Sequence, residues 1–125
     1  MSDQTAFFPE QVPIDAYGNG GFRFAGGSHK GSLICLPSGI YGWDARSMDD
    51  VNAALCAQIV AESVMADFVL MGTGVRQIFP TAEQSAIFDN VDLVLEVMDT
   101  GAACRTYNLM MEEQRAVMAA FIAVD

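Results

Sequence analysis

Two rhythms of apolar and polar residues divide this chain. In the first part the period is two: "FRF" sets Phe22 and Phe24 on one face and Arg23 on the other. Alternation of that kind, bounded by glycine turns, predicts antiparallel β structure. Six of the eleven glycines fall between Tyr17 and Gly31. Aromatics interleaved with them (Tyr17, Phe22, Phe24) point to turns and bulges in a folded layer rather than a linker. "SLICLP", Ser32 to Pro37, reads as the next strand, ended by Pro37. A short extended piece over Ile40 to Trp43 follows.

From Ser47 the rhythm becomes helical. Ser47 to Asp50 is S-x-x-D, an N-capping signal with Asp49 and Asp50 suited to the positive helix end. Val51, Leu55 and Ile59 form one apolar stripe at i, i+4 and i+8, which predicts a helix over about 48–63. Phe68 to Met71 is a continuous apolar run, as a buried strand requires. Thr81 caps a predicted helix over Ala82 to Phe88. Leu93 to Met98 is the second apolar run, and Asp99 and Thr100 cap a helix whose buried stripe is Ala103, Tyr107, Met110 and Met111. The tail Ala116 to Val124 is apolar without a helical gap, and periodicity alone allows either more helix or a last strand.

Strand, helix, strand, helix with short connections predicts βαβ units and a sheet covered on its faces. The glycine-rich front adds an antiparallel layer. We therefore expect an α/β chain folded as a single domain over 1–125. Within it, 1–13 is a partly extended N-terminal segment, 14–43 the glycine-rich β region and 47–124 the α/β region.

Composition narrows the function classes. With 52 % hydrophobic and 18 % charged residues the chain is no disordered segment. Its formal net charge is −10, from 16 acidic and 6 basic side chains. Six scattered cations cannot form the phosphate-neutralising stripe that nucleic acid demands, and anionic lipid is disfavoured likewise. Solubility and a basic protein partner suit that charge.

Three cysteines (Cys35, Cys56, Cys104) with no C-x-x-C pair, and a lone His29, give no zinc pattern. We expect no metal, no cofactor and reduced thiols. "MSDQTAFFPE" has neither a secretory h-region nor an Arg-rich presequence pattern. The longest apolar run, Ala116 to Val124, is nine residues, about half of a membrane span. A soluble, cytoplasmic protein without a transmembrane segment is expected.

The candidate site lies at the strand ends. "VLMGTGVR" leads a buried strand into Gly72-Thr73-Gly74, with Arg76 two residues on. Ligands in open α/β sheets bind at such carboxyl ends. Position 77 is Gln, however, so the dinucleotide pattern G-x-G-x-x-G fails, and the P-loop lysine is absent. The turn reading and the ligand reading both stand at this point. Asp99 and Thr100 occupy the equivalent place after the next strand, so adjacent parallel strands would set the two loops side by side around one crevice. Tyr107, Asn108 and Trp43 are amphipathic candidates for its walls. Cys104 sits early in a helix, where a dipole lowers a thiol pKa, but no base is spaced to serve it. A buried cysteine is the plainer reading. No catalytic constellation stands out.

Taken in order, "IDAYGNGGFRFAG" (14–26), "LICLPSGIYGW" (33–43), "FVLMGTGVRQIFP" (68–80) and "VLEVMDTGAACRTYNLMMEEQRAVMAAFIAV" (94–124) span nearly the whole chain. This ordered set resembles a family of unknown biochemical function that includes mitochondrial complex I (NADH:ubiquinone oxidoreductase) assembly factor 3 and its prokaryotic relatives. The resemblance implies a three-layer α/β fold around a mostly parallel mixed sheet, with a last strand antiparallel to the others. It also implies a helix over about 101–113 followed by a strand over 115–123. The family usually carries Glu-Gly-Arg at that join, where glycine suits a left-handed helix cap. Here Glu113-Gln114-Arg115 stands instead, so Gln114 must adopt that conformation or the cap differs.

The family offers no catalytic residues to carry over, and its eukaryotic member looks like an assembly factor acting through protein contacts. Lacking a presequence pattern, this chain matches a prokaryotic cytoplasmic relative better. The leading expectation is a non-catalytic binding or assembly-type protein with a protein partner of unknown identity and open oligomeric state. The alternative is a small-ligand binder or enzyme using the crevice. A third reading makes the glycine and Asp-Thr signatures purely requirements of the fold.

Overall fold

The computed structural model describes residues 7–125. Strands β1 (Ala16–Gly18), β2 (Gly21–Phe24) and β3 (Gly27–Lys30) form an antiparallel sheet. Five more strands, β4 (Ser32–Leu36), β5 (Gly39–Trp43), β6 (Phe68–Gly72), β7 (Val94–Met98) and β8 (Val117–Phe121), form the central sheet in the order β5-β4-β8-β6-β7. Helices α1 (Ala53–Ala61), α2 (Ala82–Asp89) and α3 (Thr100–Glu112) cover it. The added N-terminal layer is therefore β1–β3 alone, while β4 and β5 belong to the central sheet. Among the described residues no helix is long and apolar enough to cross a membrane.

The apolar tail is a strand, β8, and it takes the middle of the sheet. It pairs parallel with β6 and antiparallel with β4. This corrects the implied antiparallel last strand: four strands run one way, and β4 is the one that opposes them. The reason is the connection. A helix between strands carries the chain back to the starting end, so β7–α3–β8 has to be parallel, whereas the tight β4–β5 turn reverses direction. Parallel crossovers are right-handed. Stepping outward from β6 to β7 and back from β7 to β8 therefore places α2 and α3 on opposite faces.

Packing follows the same division. Strand residues alternate between two cores, as a sheet covered on both faces demands. Ile34, Leu36, Val69, Met71, Met118 and Ala120 pack with Cys56 and Ile59 of α1 and Phe88 of α2. Leu33, Cys35, Leu70, Val117, Ala119 and Phe121 pack with Phe22 and Phe24 of the small sheet and with Ala103, Cys104 and Tyr107 of α3. β8 is buried at every position, so its lack of a helical or two-fold pattern is the mark of a central strand.

The helix after Ser47 begins later than its capping signal suggests. Ser47 makes no capping hydrogen bond, and Met48–Asp50 forms a separate 3-10 turn. α1 starts at Ala53, with Asn52 Oδ1 accepting from the Leu55 N–H at 2.9 Å. Gln84 explains the break. Its side-chain amide donates to the carbonyls of Met48 (2.8 Å) and Val51 (3.0 Å), the acceptors that a continuous helix would need for itself. Thr81 and Gln84 form a full capping box on α2, and Asp99 caps α3.

Candidate functional site

β6 and β7 are adjacent, parallel and in register from Phe68 opposite Val94 to Gly72 opposite Met98. Their following loops therefore leave the sheet at one end, and Gly72, Thr73, Gly74, Asp99 and Thr100 come together there. They come together by bonding to one another. The Thr73 N–H donates to the Met98 carbonyl at 2.8 Å, and the Thr100 N–H donates to the Gly74 carbonyl at 2.8 Å. Thr100 Oγ1 accepts from the Gly74 N–H (3.0 Å) and donates to the Ile122 carbonyl (2.7 Å). The Ile122 N–H returns to the Gly72 carbonyl at 2.9 Å. Thr73 Oγ1 accepts from the Ile78 N–H (3.0 Å) and donates to the Arg76 carbonyl (2.5 Å). Thr73 and Thr100 are buried, and the Asp99 carboxylate is engaged by the Ala102 N–H at 2.9 Å.

The two glycines serve different needs. A Cβ on Gly72 would stand 2.9 Å from Thr100 Cα, so Gly72 permits α3 to close on the sheet. Gly74 adopts φ +116°, a left-handed conformation with open space around it. The N–H groups of Thr73, Gly74 and Thr100 at this strand end are thus already paired.

Of the other candidates, Arg76 joins this network through its carbonyl, and the rest lie apart. Arg76 is exposed on the loop after Gly74. Tyr107 stands edge-on to Phe121 with centroids 5.5 Å apart, and its hydroxyl donates to the Val12 carbonyl at 3.1 Å. Asn108 clamps Ile14 through two bonds of 2.8 Å, accepting from its N–H and donating to its carbonyl. These two residues hold the N-terminal segment against α3. Trp43 packs in the core on the α1 and α2 face, with Nε1 donating to the Leu55 carbonyl at 2.8 Å.

All three thiols are buried. Burial pushes Cys35 up to about 12, with a Tyr107 hydrogen bond lowering it only in part. Burial also pushes Cys104 up to about 12, against the lowering charge of Arg105, and Cys56 to about 11. Burial raises Tyr107 as well. None of these groups is poised to lose a proton near neutrality. Among the described residues no cluster of three His, Cys, Asp or Glu side chains is placed to hold a metal ion.

What sequence reading missed is the outer flank of β7. A groove of about 520 Å³ runs there, lined by Pro80, Ser85, Asp89, Asp92, Leu93, Val94 and Leu95. Beside it the loop after Gly74 exposes Val75 (79 %) and Phe79 (73 %). The available signal was "VRQIFP": apolar residues with neither helical nor strand period, in a loop that no core absorbs.

Residues 14–122 match the family model described as "Protein of unknown function (DUF498/DUF598)". The chain belongs to this family. An uncharacterized protein of Rhodobacter capsulatus is 31 % identical, covering 98 % of this chain and 93 % of that one. Mouse NADH dehydrogenase [ubiquinone] 1 alpha subcomplex assembly factor 3 is 29 % identical over 92 % of this chain, which spans only 62 % of the mouse protein. A Bartonella henselae protein described as an outer membrane protein shares the fold at a TM-score of 0.88. It is 44 % identical and covers 94 % of this chain and 99 % of its own. The family thus joins bacterial members to a named assembly factor.

Proposed function

We propose that this chain is a non-catalytic binding protein of assembly-factor type, which works by holding a protein partner. The observation that carries the reading is where the reactive and polar groups lie. The strand-end donors of Gly74 and Thr100 are bonded within the chain, and the thiols are buried and held protonated. Apolar side chains without a core, Val75, Ile78 and Phe79, stand open instead. Exposed apolar ground rimmed by polar residues is the ordinary mark of a protein contact. The mouse relative's name points the same way at the level of the family.

The test is cross-linking and capture of the tagged full chain in its native host, across several salt concentrations, with quantification of recovered proteins. A partner recovered in reproducible stoichiometry and lost on Phe79→Asp is the expected result. Recovery of nothing above background at any salt overturns the reading. Thermal-shift screening against nucleotides and metabolites supplies the opposing arm. A ligand at ~100 times its dissociation constant would add about 2.7 kcal/mol of stability, and a hit lost on Asp99→Ala would establish a small-molecule site instead.

A further inference from the structure

The central sheet has two edges, and the fold treats them differently. At β5 the N-terminal segment closes the edge: the Phe7 N–H donates to the Ile40 carbonyl at 2.7 Å and the Ile40 N–H to the Phe8 carbonyl at 3.0 Å. At β7 the described residues provide no such strand. The Met98 carbonyl points toward β6, because it accepts from the Thr73 N–H. Peptide groups alternate in direction along a strand, so those of Leu95 and Val97 point away from β6. Gln77 Nε2 occupies the Val97 carbonyl at 2.9 Å. The Leu95 N–H and carbonyl and the Val97 N–H remain, and Leu95 lines the groove that also contains Asp89 and Asp92.

An open edge templates further pairing, and proteins usually blunt it with charged side chains, proline, a bulge or a covering loop. β7 reads Val-Leu-Glu-Val-Met, with no lysine, proline or bulge; Glu96 is its one charge, and its Val94 is 60 % exposed. From this edge and its groove we infer that β7 docks an extended basic segment of a partner protein, which joins the central sheet as a sixth strand. The inference rests on the protein-binding reading above and gives it a location.

Charge selects the occupant. The groove lining carries two carboxylates and no cation, Glu96 is exposed on the edge strand itself, and the flanking loop offers only Arg76. The one ion pair among the described residues joins Arg115 to Glu113, and Arg115 lies over the Phe68 ring outside the groove lining. Asp89 also sits in the last turn of α2, where the helix dipole disfavours a negative charge. A second copy of this chain would bring the same carboxylates and a formal charge of −10 against themselves. A strand alternating Lys or Arg with aliphatic residues would instead match the open peptide groups and the acidic lining together.

The experiment follows backbone amide exchange by NMR in the full chain during titration with a short blocked peptide alternating lysine and valine. Its glutamate–valine counterpart is the control. Slowed exchange at Leu95 and Val97 with the lysine peptide alone is expected. An Asp89→Lys, Asp92→Asn double variant should bind it roughly tenfold more weakly; asparagine tolerates the positive φ at 92. No protection at Leu95 and Val97, or equal protection by both peptides, overturns the inference. Protection that grows with protein concentration without peptide assigns the edge to a second copy and overturns it too. Where the native partner is captured equally by wild type and the double variant, the edge assignment fails while the protein-binding reading stands.

Discussion

The Cβ position of Gly72 lies 2.9 Å from the Cα of Thr100 and 3.0 Å from its Oγ1. The last residue of β6 thus touches the first residue of α3, and the helix closes on the sheet only because no side chain intervenes. Gly72→Ala should force α3 outward and strain the Thr100 bonds, at a cost of roughly 1–3 kcal/mol. Urea unfolding checks this through the midpoint. An unchanged midpoint would mean that the junction relaxes without loss.

Much of this junction was legible in the sequence, because each part of it is local. Asp99 is a strong cap in front of a helical stripe, Thr81 caps the helix that follows Pro80, and two continuous apolar runs mark β6 and β7. What escaped reading depends on residues far apart along the chain. The stripe of Val51, Leu55 and Ile59 does not reveal that Gln84 takes the carbonyls of Met48 and Val51 and delays α1. Trp43 reads as amphipathic, yet it packs in the core beside α1 and α2 and its partner is the Leu55 carbonyl. The order β5-β4-β8-β6-β7 inserts the last strand between elements far earlier in sequence, a step that no local pattern encodes.

Thr100 Oγ1 serves two backbone groups at once, accepting from the half-buried Gly74 N–H and donating to the buried Ile122 carbonyl. Thr100→Val keeps the shape and removes both bonds, leaving the buried Ile122 carbonyl unpaired and the half-buried Gly74 N–H to solvent. The expected loss is roughly 1–3 kcal/mol, mainly from the orphaned carbonyl. Thr100→Ser keeps the hydroxyl and should cost about 1 kcal/mol or less. Denaturant titration of both variants separates the hydrogen bonds from the packing, and equal losses would assign the role to packing.

Gln114 holds φ +59° where glycine is the usual residue. Its N–H donates to the Met111 carbonyl and the Arg115 N–H to the Met110 carbonyl, both at 3.0 Å, which is the paired bonding of a Schellman cap on α3. A side chain in this conformation costs roughly 1–2 kcal/mol, offset partly by the greater unfolded-state freedom of glycine. Gln114→Gly should therefore stabilise the protein by about 1 kcal/mol and raise Tm by roughly 3–5 °C. Calorimetry decides the matter, and a lowered Tm would show that the glutamine side chain makes a compensating contact.

The buried thiols give stability an alkaline limit. Cys35 and Cys104 are raised from an ordinary 9.0 to about 12, and Cys56 to about 11. Between those values the folded chain keeps protons that the unfolded chain releases, so unfolding is favoured as pH rises. The contribution is fully present below about pH 9 and disappears progressively toward about pH 12. Burial of Tyr107 acts in the same direction. The urea midpoint should accordingly hold steady near neutrality and fall above about pH 9, with a shallower fall in Cys35→Ala, which lacks one of the protons concerned. A thiol-reactive disulfide reagent near pH 8 should label none of the three cysteines in the folded chain and all of them in urea. Rapid native labelling at Cys104 would show instead that the start of α3 opens readily, and that the junction of Gly72 and Thr100 is less firmly closed than its hydrogen bonds imply.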